Sequence, residues 1–171
     1  MRLSVIGCGY LGAVHAASMA ELGHDVVGID VDAAKIASLS SGKATFFEPG
    51  LPEILASAIA SGRLRFSTDF ADARGASVHF LAVGTPQRAG ENAADLSFVD
   101  AAMDALIPYL SDGDLVVGKS TVPVGTAARL AGRSDERSAA ANDGWAAMRA
   151  AWSGQPRKSV TRSRSRKRRV R

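Results

Sequence analysis

Cysteine is nearly missing from this chain: Cys8 is the only one in 171 residues. An internal disulfide framework is therefore excluded, and the usage fits a reducing cytoplasm. A basic start followed by a long apolar run is also lacking. Leu3, Val5 and Ile6 make too short a run for a signal peptide or a membrane span. The expected setting is a soluble, cytoplasmic protein with no membrane partner. No internal repeat is visible, and no metal site is expected. The final stretch, RKSVTRSRSRKRRVR, has no acid and no interleaved aromatic residue, yet 9 of its 15 residues are basic. Such a segment repels itself and lacks the apolar surface to fold.

The overall net charge of +4 conceals two different regions. Residues 1–133 carry 10 Lys+Arg against 14 Asp+Glu, a net of −4, and residues 134–171 carry 11 against 3, a net of +8. The basic character thus belongs to the end of the chain. The acidic body offers no nucleic-acid face. Contact with nucleic acid is confined to 157–171, where it would be non-specific.

The body alternates strand and helix signals. RLSVIG reads as a strand, and YLGAVHAASMAELG as an Ala-rich helix ended by Gly23. HDVVGID is a second strand ending at Asp30. DAAKIASLSSG is a second helix with Asp32 as its N-cap and Gly42 past its end. FFEPGLPEILASAIASG is a turn and a helix, with Pro52 in the first turn. LRFS, then ASVHFLAVGTP, then GDLVVGKSTVPVGT supply three more strands. ADLSFVDAAMDALIPYL is the helix between the last two, with Phe98, Ala102, Ala105 and Leu106 on one apolar face, and AARLAGR begins another. Strands alternating with helices of this length imply parallel β-α-β units and a doubly wound α/β sheet.

The chemistry-bearing motif is GCGYLG at 7–12, a G-x-G-x-x-G between a strand and a helix. Gly7 permits the tight turn, Gly9 lets a pyrophosphate approach the backbone, and Gly12 lets the helix pack closely on the strand. Free N–H groups and the helix dipole favour phosphate there. Asp30 ends the next strand 18 positions after Gly12, close to the spacing expected of a residue reading ribose hydroxyls. That favours NAD over NADP, and Lys35, one helical turn on, softens the preference. The competing reading is a glycine turn with a solvated aspartate. Cys8, inside the loop, reads as a small buried hydrophobe rather than a nucleophile.

With Asp30 and Lys35, the motifs GYLG, FFEPGL at 46–51, AVGTPQ at 82–87 and GKSTVPVGT at 118–126 occur in one collinear order. Together they resemble the UDP-glucose/GDP-mannose dehydrogenase family, most closely its UDP-glucose members, over roughly residues 1–133. The resemblance implies a Rossmann-like NAD-binding domain. It implies that Gly7, Gly9, Tyr10, Leu11 and Gly12 hold the pyrophosphate. Asp30 and Lys35 would address the adenosine half. Thr85 would contact the cofactor, and Thr121 would sit near the nicotinamide and the reacting sugar carbon, with Ser120 beside it. A turn-stabilising hydroxyl is the alternative role for either threonine. Glu48, Pro49 and Gly50 read equally as a lid, a subunit contact or a simple turn. The implied substrate is a nucleotide-sugar, UDP-glucose going to UDP-glucuronate, in a homo-oligomeric enzyme.

The implied reaction is two hydride transfers to NAD, with a cysteine thiolate attacking the intermediate aldehyde. It calls for a downstream nucleophilic Cys, a Glu from a Pro-Glu-Phe-Leu-type segment, a Lys and an Asn. These are not found here, and the resemblance stops after Arg133. The expectation is a truncated member whose NAD-binding domain spans 1–133. Residues 134–171 would be a non-family, mostly disordered tail, with a composition that fits out-of-frame reading of a GC-rich gene. No strand run is legible there; Trp145, Met148 and Trp152 suggest at most a weak amphipathic turn or two. The sheet edge beside DLVVG is therefore expected to lie open and the fold to be marginal. The chain is expected to supply only the cofactor-binding part of that oxidation and to be inactive on its own. Its alternative roles are an inactive NAD-binding remnant or non-specific nucleic-acid binding through the tail.

Overall fold

The computed structural model describes residues 1–91, 93–140 and 149–152. Strands β1 (Arg2–Ile6), β2 (Asp25–Ile29), β3 (Leu64–Ser67), β4 (Val78–Leu81), β5 (Leu115–Gly118) and β6 (Arg149–Trp152) form one sheet. The strand order is β3-β2-β1-β4-β5-β6, and all pairings are parallel. Helices α1 (Tyr10–Glu21), α2 (Ala33–Ser40) and α3 (Leu51–Ala60) belong to the first half, and α4 (Ser97–Leu106) and α5 (Thr126–Ala140) to the second. This is the doubly wound order of a Rossmann-like sheet, in which the strand sequence reverses between β1 and β4.

The sheet separates two cores. On one face Leu3, Val5 and Val26 meet Ala13, Ala16, Ala17 and Ala20 of α1 and Leu51 and Leu55 of α3. The alanines let α1 lie close to the strands. On the other face Ile6, Val27, Ile29, Leu81 and Val116 meet Val99, Met103 and Leu106 of α4 and Leu130 of α5. Successive strand residues thus serve opposite cores, as the two-residue period of a strand requires. Asp32 caps α2 as expected, accepting from the Lys35 N–H at 3.0 Å.

Three local expectations are corrected. The buried face of α4 is Val99, Ala102, Met103 and Leu106, while Phe98 is 54% exposed; one step of helical phase moves Phe98 to the rim of a cavity. Secondly, α5 runs on to Ala140, through the boundary expected at Arg133. Arg129 and Arg133, four apart on α5, face Asp100 and Asp104, four apart on α4. Arg129 pairs with Asp100 at 2.8 Å and Arg133 with Asp104 at 2.5 Å. Thirdly, the edge beside β5 is covered by β6, with Leu115 opposite Arg149 and Gly118 opposite Trp152. Arg-Ala-Ala-Trp has little intrinsic strand character, but the unpaired backbone groups of β5 supply a template that overrides propensity. The expected disorder of the remaining tail lies outside the described residues.

Candidate functional site

The first crossover sets the geometry. β1 ends at Ile6, and the chain turns at Gly7, whose φ of +92° suits glycine. The Gly7 N–H donates to the carbonyl of Ile29 at 2.7 Å, pinning the turn to β2. A Cβ on Gly7 would sit 2.8 Å from the backbone nitrogen of Val83, and one on Gly12 only 1.8 Å from the Gly7 carbonyl oxygen. A Cβ on Gly9 would meet nothing within 4 Å. Gly7 and Gly12 are therefore required by the protein itself. Gly9, by contrast, faces open space, and its bare backbone leaves room for something outside the fold. The start of α1 has no side-chain cap, so its first-turn N–H groups keep their affinity for an anion.

Asp30 lies directly beyond β2 and is only 8% exposed. Its Oδ2 accepts from the Cys8 N–H at 2.8 Å and from Lys35 Nζ at 2.8 Å, and its Oδ1 accepts from the Asp32 N–H at 3.0 Å. Burial pushes its pKa up, but the Lys35 bond and the two backbone bonds outweigh burial and hold it below the usual carboxylate value. The glycine loop, the acidic residue and the lysine thus form one hydrogen-bonded unit. They open on a cavity of about 360 Å³ lined by Gly7, Gly9, Asp30, Lys35, Val83 and Phe98 among others. Tyr10, Leu11 and Gly12 follow in the first turn of α1, outside that lining, with Tyr10 and Leu11 exposed.

At the carboxyl ends of β4 and β5 the two remaining loops are tied together. The Thr85 hydroxyl donates to the Thr121 carbonyl at 3.0 Å, and the Ser120 hydroxyl donates to the Val83 carbonyl at 2.6 Å. Thr85 and Ser120 therefore knit the loops with their hydroxyl protons. Thr121 itself is exposed. All three lie outside the lining of the 360 Å³ cavity, beyond the strand ends where open α/β sheets bind ligands.

Cys8 is fully buried between the glycine loop and β2. Burial, followed by the nearby Asp30 charge, pushes its thiol up to about 12. It is no nucleophile at neutral pH.

Some of the structure's features carry no motif. Phe70, Phe98 and Ala101 line the cavity from outside the glycine motif. The Tyr10 hydroxyl donates to Glu48, and the ring of Phe46 meets that of Tyr10 edge-on at 4.9 Å. The EPG segment is thus fastened to the glycine loop. A buried chain, Ser4–His79–Asp114, crosses β1, β4 and the start of β5: Ser4 Oγ is 2.7 Å from His79 Nδ1, and His79 Nε2 is 3.3 Å from Asp114 Oδ2. Only the apolar setting of a lone His in a strand hinted at it in the sequence.

The family model for the NAD-binding domain of UDP-glucose/GDP-mannose dehydrogenases matches residues 1–147. The chain belongs to this family. It is 50% identical over 127 residues to UDP-glucose 6-dehydrogenase of Rhizobium meliloti, covering 74% of this chain and 29% of that protein. It is 38% identical over 134 residues to GDP-mannose 6-dehydrogenase of Pseudomonas syringae pv. tomato, covering 76% and 30%. Among solved structures, a UDP-glucose dehydrogenase from Pyrobaculum islandicum aligns at TM-score 0.76 and 40% identity, over 88% of this chain and 35% of that one. The chain spans about three-tenths of the length of the curated relatives it matches. Its cofactor is NAD, and the open Gly9 face, the donors at the start of α1 and the Asp30 carboxylate fit that dinucleotide. Among the described residues no helix is long and apolar enough to cross a membrane.

Proposed function

We propose that this chain is the cofactor-binding part of an NAD-dependent oxidation of UDP-glucose to UDP-glucuronate. NAD supplies the hydride acceptor when bound. The backbone of Gly7 to Gly12 would receive the pyrophosphate, and Asp30 with Lys35 the adenosine ribose. Thr121, with Thr85 and Ser120 holding its loop, would meet the nicotinamide end and the substrate carbon. The observation that carries this reading is the Gly9 face. It is a glycine that no protein atom requires, set beside an uncapped helix start and a buried carboxylate.

A second reading concerns this chain alone. Its one cysteine is buried with a pKa near 12, which supports NAD binding without turnover. Titration with NADH, followed by an absorbance assay with NAD and UDP-glucose, tests both readings. Saturable NADH binding without NADH production is expected, and production of NADH would overturn the second reading. A thermal shift of the NAD-bound chain by UDP-glucose, not matched by GDP-mannose, supports the substrate assignment. The reverse order would contradict it.

A further inference from the structure

Helix α4 carries three different faces. At about 100° per residue they lie roughly 120° apart around its axis. Val99, Met103 and Leu106 enter the core. Phe98, Ala101 and Ala105 line the cavity of about 360 Å³. Asp100 and Asp104 meet α5. Arg129 pairs with Asp100 at 2.8 Å, and Arg133 reaches Asp100 at 3.5 Å and Asp104 at 2.5 Å. The alanines on the cavity flank face open space, so no packing there resists a roll of α4 inward. The ion pairs act on the flank turned away from the cavity. Their other ends are well anchored. Leu130, beside Arg129 on α5, is only 2% exposed, and the Thr126 hydroxyl at the start of α5 donates to the Pro123 carbonyl at 2.8 Å.

We propose that Arg129 and Arg133 are positioning residues for the dinucleotide. Through Asp100 and Asp104 they hold α4 back and keep the cavity at its full width. The proposal rests on the dinucleotide reading of that cavity. It gives the ion pairs a role in binding rather than in stability. Their side chains are between 29 and 41% exposed, and pairs open to water add little to the free energy of folding. What they add is direction. Apolar contact is non-directional, whereas a planar guanidinium fixes the orientation of a carboxylate as well as its distance. The two acids are one turn apart on α4, and the two arginines one turn apart on α5, so the ladder resists rotation and sliding together. It also spans the site. α5 begins at Thr126, just past the loop of Ser120 and Thr121, so the wall of the cavity is tied to the loop at the carboxyl end of β5. A displacement of α4 would therefore be felt by the bound cofactor although neither arginine lines its cavity.

The test is fluorescence titration of the full chain with NADH, well below the melting temperature, for wild type, Arg133→Met and Arg133→Lys. Wild type and Arg133→Met are then compared again in a Phe98→Ala background. Arg133→Met should weaken NADH binding about tenfold while lowering the melting temperature by only a few degrees. Arg133→Lys keeps a cation facing Asp104 and should recover most of the affinity. Phe98 is the largest side chain that α4 brings to the cavity, and it lies at the rim, 54% exposed, so its removal leaves binding measurable. Without it the position of α4 matters less, and Arg133→Met should then cost no more than about twofold. An Arg133→Met chain that binds NADH as wild type does would overturn the proposal. So would an equal loss in the two backgrounds, which would make the ladder a structural support, or an Arg133→Lys chain no better than Arg133→Met. If Arg133→Met does not fold, Asp104→Asn, which keeps the shape of the side chain and removes its charge, replaces it under the same expectations. Wild type that fails to bind NADH would overturn the dinucleotide reading itself, and this inference with it. Wild type that binds, with variants that bind equally well, would overturn this inference alone.

Discussion

Asp30 and Asp114 are the two buried acids of the described residues, 8% and 7% exposed. Their surroundings look alike. Asp30 takes two backbone N–H groups and Lys35; Asp114 takes the Ser111 N–H at 2.6 Å and His79. One adjoins an open cavity at the carboxyl end of β2. The other stands just before β5, and its chain runs inward to a histidine and a serine with no exposure at all. With Nε2–H donating to the carboxylate, the neutral ring accepts from the Ser4 hydroxyl at Nδ1. That order of Ser, His and Asp is the order of a hydrolytic triad, yet it has no room for a substrate. The lesson is that access and unused donors make a site, whereas residue types alone do not. The Asp114 chain is a strut across three strands, and the Asp30 cluster is one wall of an open cavity.

The comparison can be broken most severely at the glycines. Gly12→Ala drives a methyl into the Gly7 carbonyl. It should cost about 3 kcal/mol in chemical denaturation, at the upper end of overpacking effects, and should abolish NADH binding. Next comes the strut. Asp114→Ala leaves the His79 Nε2–H and the Ser111 N–H unpaired, which should cost about 2 kcal/mol. The NADH Kd of the folded variant should stay within about twofold of wild type. A large loss of affinity would mean that the strut and the site are coupled.

A milder test uses pH. Burial lowers the His79 pKa, against the opposing pull of Asp114. The unfolded chain therefore binds this proton more readily than the folded one. Stability should fall as pH drops below the ordinary histidine value of about 6.5, and His79→Gln should flatten that slope. His15, lowered first by burial and then by Lys119, adds a slope of the same sign. Asp30 behaves oppositely in range: its lowered pKa gives stability that is present above about pH 4 and lost below it. Between pH 7.5 and 5 the difference in melting between wild type and His79→Gln therefore reads the strut and leaves the Asp30 carboxylate unchanged. The smallest effect is expected at Cys8. Cys8→Ala should cost about 1 kcal/mol and leave NADH binding unaltered, and the wild-type thiol should label only on unfolding.

These contrasts also mark what was legible in the sequence. The glycine loop, Asp30, Lys35 and the β-α alternation could be read because each is a local pattern with a fixed spacing. The Asp32 cap was equally local. The strut was not legible, since Ser4, His79 and Asp114 are joined only by sheet register. Phe98 was assigned to the core because a helical face read from sequence carries a phase error of about one residue. The α4–α5 ion pairs did leave a trace, in two acids and two arginines each four apart. That trace carries the last helix as far as Arg133, and nothing in it marks the extension to Ala140. β6 left none, because the edge it completes is a property of β5.

The central claim is that the Gly9 face is kept bare for a dinucleotide and not for the fold. Calorimetric titration of NADH into the wild-type chain and into Gly9→Val, with thermal melts of both, tests it most directly. The account predicts saturable one-to-one binding by wild type, at least a tenfold loss in Gly9→Val, and a melting temperature lowered by only a few degrees, the cost of valine at the N-cap of α1. Equal binding by the two chains, or a Gly9→Val chain that has lost its cooperative transition, would contradict it.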